Sequence, residues 1–313
     1  MENIKKKYCC ITTHRLSLDS ALRGLPLKDI VLDGEGYITL FSANNYKLLA
    51  KIDKDKKIDA LIYKSDQEGK ASYEINNKSF KEEAQKVIRN SLNRLQVAFL
   101  GVKIQVNHTT KTRDDENFSI DILDYETGIK AAILSIATMH LGSGGSLIYP
   151  SPHISCQKIY TVLKVEKDNL DEYIDRFVSL ENLSDDPVLH LITFYTLYEY
   201  IYEGNKPFEA LFSMDIDGKF KEVKRKSASP ELVKLTFIDK FKATRDFIAH
   251  GILHGKPTLD ILEQFLGSSS GEKALTFDRY NQSHINLINE VISEAQTVIL
   301  NYLREELGVH KSS

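Results

Sequence analysis

Near its C-terminus the chain reads HINLINEVISEAQTVILNYLREELG, in which Ile285, Ile288, Val291, Ile292, Ala295, Val298, Ile299 and Tyr302 recur every three or four residues. That period places them on one stripe of an α-helix of about six turns. A stripe of this length has to be buried against other elements, and with three further helices read upstream the region is expected to form a helical bundle. The upstream sequence supplies the partners. NLDEYIDRFVSLEN starts with an asparagine suited to capping, and DDPVLHLITFYTLYEYIYEG has Pro187 in a first-turn position and Gly204 as its stop. SPELVKLTFIDKFKATRDFIAHG reads as one helix, with Ser229 as cap, Pro230 as first residue and Gly251 as stop. Tyrosines 195, 198, 200 and 202 fall on several sides of their helix, as residues of a core or a dimer surface would.

The N-terminal half follows a different period. IVLDGEGYITLFS, YKLLAKI, DALIYKS and ASYEI are short runs separated by Gly, Asn and Asp, and they predict an antiparallel sheet. SFKE at Ser79 to Glu82 fits a capping box, and Ile88, Leu92, Leu95 and Phe99 then mark an amphipathic helix. VKIQVNH and FSIDILD predict two further strands, and GIKAAILSIATMHLG a second helix. Between the halves lies GSGGSLIYPSPH, Gly142 to His153. It lacks the Gly-Lys-Ser/Thr ending of a phosphate loop and reads as a connector. The expected fold class is an α+β domain over residues 1–150, followed by an all-α helical bundle over residues 151–313.

Charge and composition narrow the function classes. Hydrophobic residues make up 42% and charged residues 27%, the balance of an ordinary globular protein. No window approaches the roughly 20 apolar residues of a membrane span, and the first residues lack the apolar run of a signal peptide. The expectation is a cytoplasmic protein without a membrane partner. Cys9, Cys10 and Cys156 have no CxxC spacing and read as reduced thiols. Neither a metal nor a cofactor is expected. His250 and His254 stand four apart, but Gly251 interrupts the helix and no HExxH glutamate accompanies them. The formal net charge of -3 gives no general attraction for a polyanion, so any nucleic-acid contact requires a local basic patch. GKFKEVKRKS supplies Lys219, Lys221, Lys224, Arg225 and Lys226, with Phe220 as an aromatic able to stack on a base. The same run also fits a simple solvated loop, as does KTRDDENFS at Lys111 to Ser119.

The segment TRDFIAHG gathers reactive groups. On a helix Asp246 and His250 are one turn apart on one face, and Arg245 lies about 100° from Asp246 with a side chain long enough to swing toward it. A guanidinium donates two parallel hydrogen bonds to phosphate and never deprotonates. An imidazole can take a proton from a ribose 2'-hydroxyl or give one to a leaving 5'-oxygen. A carboxylate one turn away can orient the ring. The competing account is structural: a histidine at a helix end interacts with the last carbonyls, and Arg-Asp neighbours are common on solvated surfaces.

RDFIAHG at Arg245 to Gly251 resembles the R-[N/D/H]-x-x-x-H signature of the HEPN superfamily, helical-bundle domains found in bacterial RNase toxins, abortive-infection proteins and CRISPR accessory ribonucleases. The resemblance covers roughly residues 160 to 313 and includes the acid after the arginine, the Ala-His-Gly ending and an acid-bearing helix upstream. It implies a homodimer in which two motif helices line one cleft. Arg245 would hold the scissile phosphate, His250 would transfer protons and Asp246 would organise the pair, with Glu199 or Glu203 as further acids of the cleft. The products would be a 2',3'-cyclic phosphate and a 5'-hydroxyl. A role in phage defence or as a toxin comes from the family, and the N-terminal domain is then expected to recognise a trigger, a partner or the RNA. Family members whose tyrosine is adenylylated carry it two residues after the histidine, where this chain has Ile252. Two alternatives stay open: a non-catalytic member that dimerises and binds a ligand, RNA or protein, and a structural protein whose α+β domain carries the function.

Overall fold

A computed structural model describes residues 6–15, 27–28, 37–43, 46–52, 58–69, 77–100, 118–124, 154–180, 186–203, 205–223, 230–253, 256–267 and 274–309. The chain forms two compact units, one comprising 1–178 with 304–313 and the other 179–303. The first unit is built on a five-stranded antiparallel sheet of β1 (Lys6–Arg15), β3 (Tyr37–Ser42), β4 (Tyr46–Ile52), β5 (Ile58–Gly69) and β6 (Phe118–Asp124), in the order β3-β4-β5-β1-β6. A separate two-residue ladder pairs β2 (Leu27–Lys28) in parallel with β7 (Ile154–Ser155). β1 is the sheet's longest-range junction, pairing Tyr8 with Gln67 on one side and with Asp124 on the other.

The sheet face is covered by α1 (Asn77–Leu95), whose Phe80, Ala84, Ile88, Leu92 and Leu95 are buried at helical spacing. The helix begins two residues before Ser79, so SFKE lies inside its first turns and Ser79 is exposed rather than capping. A π-helical turn, Gln96–Leu100, follows. The expected strand at residues 102–108, the expected helix at 128–142 and the connector at 142–153 lie outside the described residues.

Arg94 ties this unit together. Its Nε donates to the Asp171 carboxylate at 2.6 Å, and its Nη1 donates to the carbonyls of Val162, Leu163 and Val165 at 3.3, 3.1 and 2.7 Å. These carbonyls end α2 (Cys156–Lys164), and Asp171 opens α3 (Leu170–Leu180). One guanidinium thus closes the C-terminus of one helix and balances the acid at the N-terminus of the next. Asn90 and Asn93 add bonds of 2.9 Å to Asp171 and Asp175. This is the physical reason that α2 and most of α3 belong with the sheet, and that the units divide at 178/179 rather than at the expected 150/151.

The second unit contains α4 (Pro187–Tyr202), α5 (Lys206–Phe212), β8 (Asp215–Val223), β9 (Glu231–Thr236), α6 (Phe237–His250), β10 (Ile252–Leu253), α7 (Lys256–Leu266), β11 (Leu275–Thr276) and most of α8 (Gln282–Glu306). It is helical but not all-α, because β8 and β9 form an antiparallel hairpin and β10 pairs with β11. The segment expected to be one helix from Ser229 therefore divides at Thr236. Tyr198, Phe208, Phe212, Phe237 and Phe241 form a continuous aromatic core. The stripe on α8 is buried as its period requires, with Ile285 half-buried at its edge. Lys240, only 2% exposed, interrupts the apolar stripe of α6 and meets Glu290 at 2.6 Å and Glu294 at 3.1 Å, one turn apart on α8. No helix among the described residues is long and apolar enough to cross a membrane.

Two stability outcomes follow. Arg94→Met leaves the carbonyls of α2 without their donor and the Asp171 carboxylate without its cation, and costs roughly 3 kcal/mol in urea unfolding. Lys240→Met stays within about 1 kcal/mol of wild type, whereas Glu290→Ala combined with Glu294→Ala strands a buried ammonium and costs about 3 kcal/mol in the same measurement.

Candidate functional site

The site is organised by the two ends of α6. At its head, Thr236 and Asp239 form a capping box: Asp239 Oδ2 accepts from the Thr236 amide at 3.0 Å and from the Thr236 hydroxyl at 2.7 Å. Lys221 Nζ, reaching in from β8, donates to the same oxygen at 2.6 Å. Burial alone would raise the Asp239 carboxyl, but the bonds from Lys221 and Thr236 outweigh it and hold its pKa below the ordinary value. At its foot, Gly251 turns the chain with φ of 68°, a left-handed conformation that favours glycine. The Gly251 carbonyl then accepts from Phe277 N–H at 2.7 Å, and the β10–β11 ladder begins there.

Between these ends, Arg245 is placed by three neighbours. Its guanidinium carbon lies 4.4 Å from the centroid of the Tyr195 ring on α4. Its Nη1 meets Asp246 Oδ1 at 2.8 Å, and its Nη2 lies 3.9 Å from Glu199 Oε1. Its Nε is buried and has no hydrogen-bond partner among the described residues. Desolvation acts to lower the pKa of this guanidinium, but the Tyr195 hydroxyl and the nearby carboxylates outweigh it and raise the value, so the cation is permanent. Burial raises the Tyr195 phenol while Arg245 opposes the shift, which keeps the ring neutral.

The structure thus brings Arg245, Asp246 and Glu199 together; the helix spacing suggested the first two, and the resemblance suggested Glu199. It distributes their roles differently. Asp246 engages the arginine and not the histidine; His250 is exposed at the last helical position and makes no hydrogen bond or ion pair among the described residues. Glu203 is the exposed cap of α4 and takes no part in the cluster among the described residues. His254 lies outside the described residues. Tyr195 is the member that sequence reasoning left in the core; its signal was the Tyr195–Glu199 spacing, which puts a ring and a carboxylate one turn apart on the face that receives Arg245.

The basic segment is half of a hairpin, not a free loop. Phe220 pairs with Lys234, and Lys221 with Val233. Lys219 and Lys221 share the inner face. Lys219 donates to the Gln264 carbonyl and lies 5.1 Å from the Phe265 centroid, while Lys221 is bound to Asp239. Both are therefore committed internally. Phe220, Leu232 and Lys234 occupy the exposed face, and Lys234 is a cation that the sequence reading passed over. The Gln264 amide bonds both the N–H and the carbonyl of Phe220, sealing the β8 edge against α7. Lys224, Arg225 and Lys226 lie outside the described residues.

Comparison with protein-family models, with curated proteins and with solved structures finds no match to this chain.

The cap on α6 makes a pH-dependent contribution with a defined sign. Because the folded pKa of Asp239 is depressed, its stabilisation is fully present above the unfolded value near 3.9 and fades as pH falls through the folded value. Asp239→Asn is expected to be about 1–2 kcal/mol less stable than wild type near neutral pH. The difference narrows in denaturation curves recorded below about pH 4.

Proposed function

We propose that residues 179–303 form a metal-independent endoribonuclease of the HEPN kind, acting as a homodimer in which two copies of α6 contribute to one cleft. The observation that carries this reading is the division of labour at the foot of α6: a permanent cation held on an aromatic face, and, five residues on, an exposed imidazole that is unbonded among the described residues. Five residues of helix advance about 7.5 Å, which suits one group for the phosphate and another for the adjoining ribose oxygens.

In the proposed reaction Arg245 binds the non-bridging oxygens of the scissile phosphate and offsets the charge that builds on them. An imidazole removes the proton of the ribose 2'-hydroxyl, whose oxygen attacks phosphorus. The bond to the 5'-oxygen breaks, and that oxygen takes a proton from the second imidazole of the pair. The products are a 2',3'-cyclic phosphate and a 5'-hydroxyl. Tyr195 keeps the guanidinium stationary, and Asp246 directs it. Asp246 is therefore a positioning residue for Arg245. An exposed ion pair of this kind is worth at most about 1 kcal/mol, so an arriving phosphate can displace it. Involvement in phage defence or toxicity, and recognition of a trigger by the N-terminal unit, belong to the same proposal.

A second reading is a non-catalytic module that dimerises and binds a ligand, RNA or protein, and one observation favours its ligand or protein form. Arg245 is flanked by two carboxylates, so the cluster carries one positive and two negative formal charges and repels a polyanion until one acid is displaced or neutralised.

The two readings separate in one assay. With mixed RNA in EDTA, the wild type yields cyclic-phosphate and 5'-hydroxyl ends, while Arg245→Ala and His250→Ala lose at least about 100-fold in rate with unchanged circular dichroism. Tyr195→Phe retains most of the rate and Tyr195→Leu does not. A wild type that folds, dimerises and cuts no RNA, with any activator of the N-terminal unit supplied, favours the binding module instead.

A further inference from the structure

Phe220, Leu232 and Val233 remain 42%, 69% and 37% exposed, and all three stand on the β8–β9 hairpin. Exposed apolar side chains are ordinary one at a time. Here they accompany a strand in which Glu231, Leu232, Val233 and Lys234 are exposed one after another. A strand with one face packed alternates, so four exposed residues in succession mark a segment open to water on both faces.

The hydrogen bonds on the far side of the hairpin fix how that segment is oriented. Phe220 N–H donates to Gln264 Oε1 at 3.1 Å, and the Phe220 carbonyl accepts from Gln264 Nε2 at 2.6 Å. In a strand the N–H and C=O of one residue point to the same side, so Phe220 turns both away from β9. Its partner Lys234 therefore belongs to a pair that exchanges no hydrogen bonds, and it turns its own N–H and C=O away from β8. Leu232, opposite Glu222, does the same two residues earlier. The next such residue along β9, Thr236, gives its N–H to Asp239, so the open stretch runs from Leu232 to Lys234. Among the described residues no strand lies along this edge and no hydrogen bond reaches these four backbone groups.

We infer that the open edge of β9 is a strand-addition site for an extended segment of a partner protein. The inference stands apart from the ribonuclease reading. Two N–H and two C=O groups, in pairs about 7 Å apart, are what an added strand bonds, and a third strand completes a sheet that is marginal with two. Leu232 and Lys234 share the outer face, so the incoming segment carries an apolar residue and an acid two positions apart. The lysine is available to that acid: Asp215 Oδ2 lies 3.8 Å from Lys234 Nζ, with the two side chains 55% and 50% exposed. A second copy of the chain fits less well. In antiparallel two-fold registers of β9 on itself centred on Leu232, Val233 or Lys234, Lys234 meets Pro230, Leu232 or another Lys234, never an acid. Four residues a side also fall short of the roughly 20 that a stable interface uses.

The test selects a displayed library of random eight-residue peptides on the immobilised full-length wild type and measures the enriched peptides by fluorescence anisotropy. The expected peptides carry an apolar residue and an acid two apart, and they protect the Leu232 and Lys234 amides from hydrogen exchange. Lys234→Pro removes an N–H that β8 does not use, and it is expected to weaken these peptides at least about tenfold with unchanged circular dichroism. Lys234→Glu keeps the backbone and is expected to weaken them as well, while selecting basic peptides in place of acidic ones. No enrichment over the Lys234→Pro chain, or equal affinity for the wild type and both variants, overturns the inference. If the variants shift self-association in sedimentation and leave peptide affinity alone, a second copy occupies the edge and the inference falls.

Discussion

Asp239 Oδ2 accepts hydrogen bonds from the Thr236 amide, the Thr236 hydroxyl and the Lys221 ammonium, and this convergence determines where α6 begins. The consequences run in both directions along the chain. Upstream, residues 231–236 are released from the helix and extend as β9, which requires β8 as its partner. Downstream, a helix started at Phe237 presents Phe237, Lys240, Phe241, Thr244 and Phe247 to the core at spacings of three and four. Arg245 and Asp246 are then carried to the flank. A start at Ser229 would have left β8 unpaired and Lys221 without its acid.

Around Arg245 the balance of forces is between positioning and availability. The Tyr195 ring, with the guanidinium carbon 4.4 Å from its centroid, helps to hold the cation in place. Asp246 and Glu199 consume donors only through contacts at a partly exposed position, where solvent weakens them. An arginine held chiefly by carboxylates would be either buried and inaccessible or exposed and loose. Holding it by a ring avoids both, and it also leaves His250 free of Asp246.

What could be read from the sequence was the part encoded in periods. The stripes of α1 and α8 were legible because each buries a face at a spacing of three and four, while α4 was legible from Pro187 at its start and Gly204 as its stop. β9 was not legible because Ser229-Pro230-Glu231 imitates a helix start, and six residues are too few for alternation to outweigh it. The better signal was Thr236 with Asp239 three residues later. β1 went unseen since KKYCCITTHR carries no turn residue to bound it, and its identity as a strand depends on pairing with β5 and β6, both distant in sequence. Tyr195 was hidden among four tyrosines, and only the arrival of Arg245 from another helix distinguishes it.

Lys240 shows why a period alone does not place the site. In the buried stripe of α6 an apolar residue would satisfy the hydrophobic effect equally well, and a buried ion pair is not in itself a source of stability. What the lysine adds is direction. Apolar packing between α6 and α8 tolerates rotation of one helix by part of a turn, but an ammonium that must reach both Glu290 and Glu294, with Phe265 4.9 Å away, permits one setting. Arg245 follows Lys240 by five residues on the same rigid helix, so the angle that satisfies the lysine also sets the side on which the arginine emerges. The charge in the core and the charge at the candidate site are coupled through helix geometry.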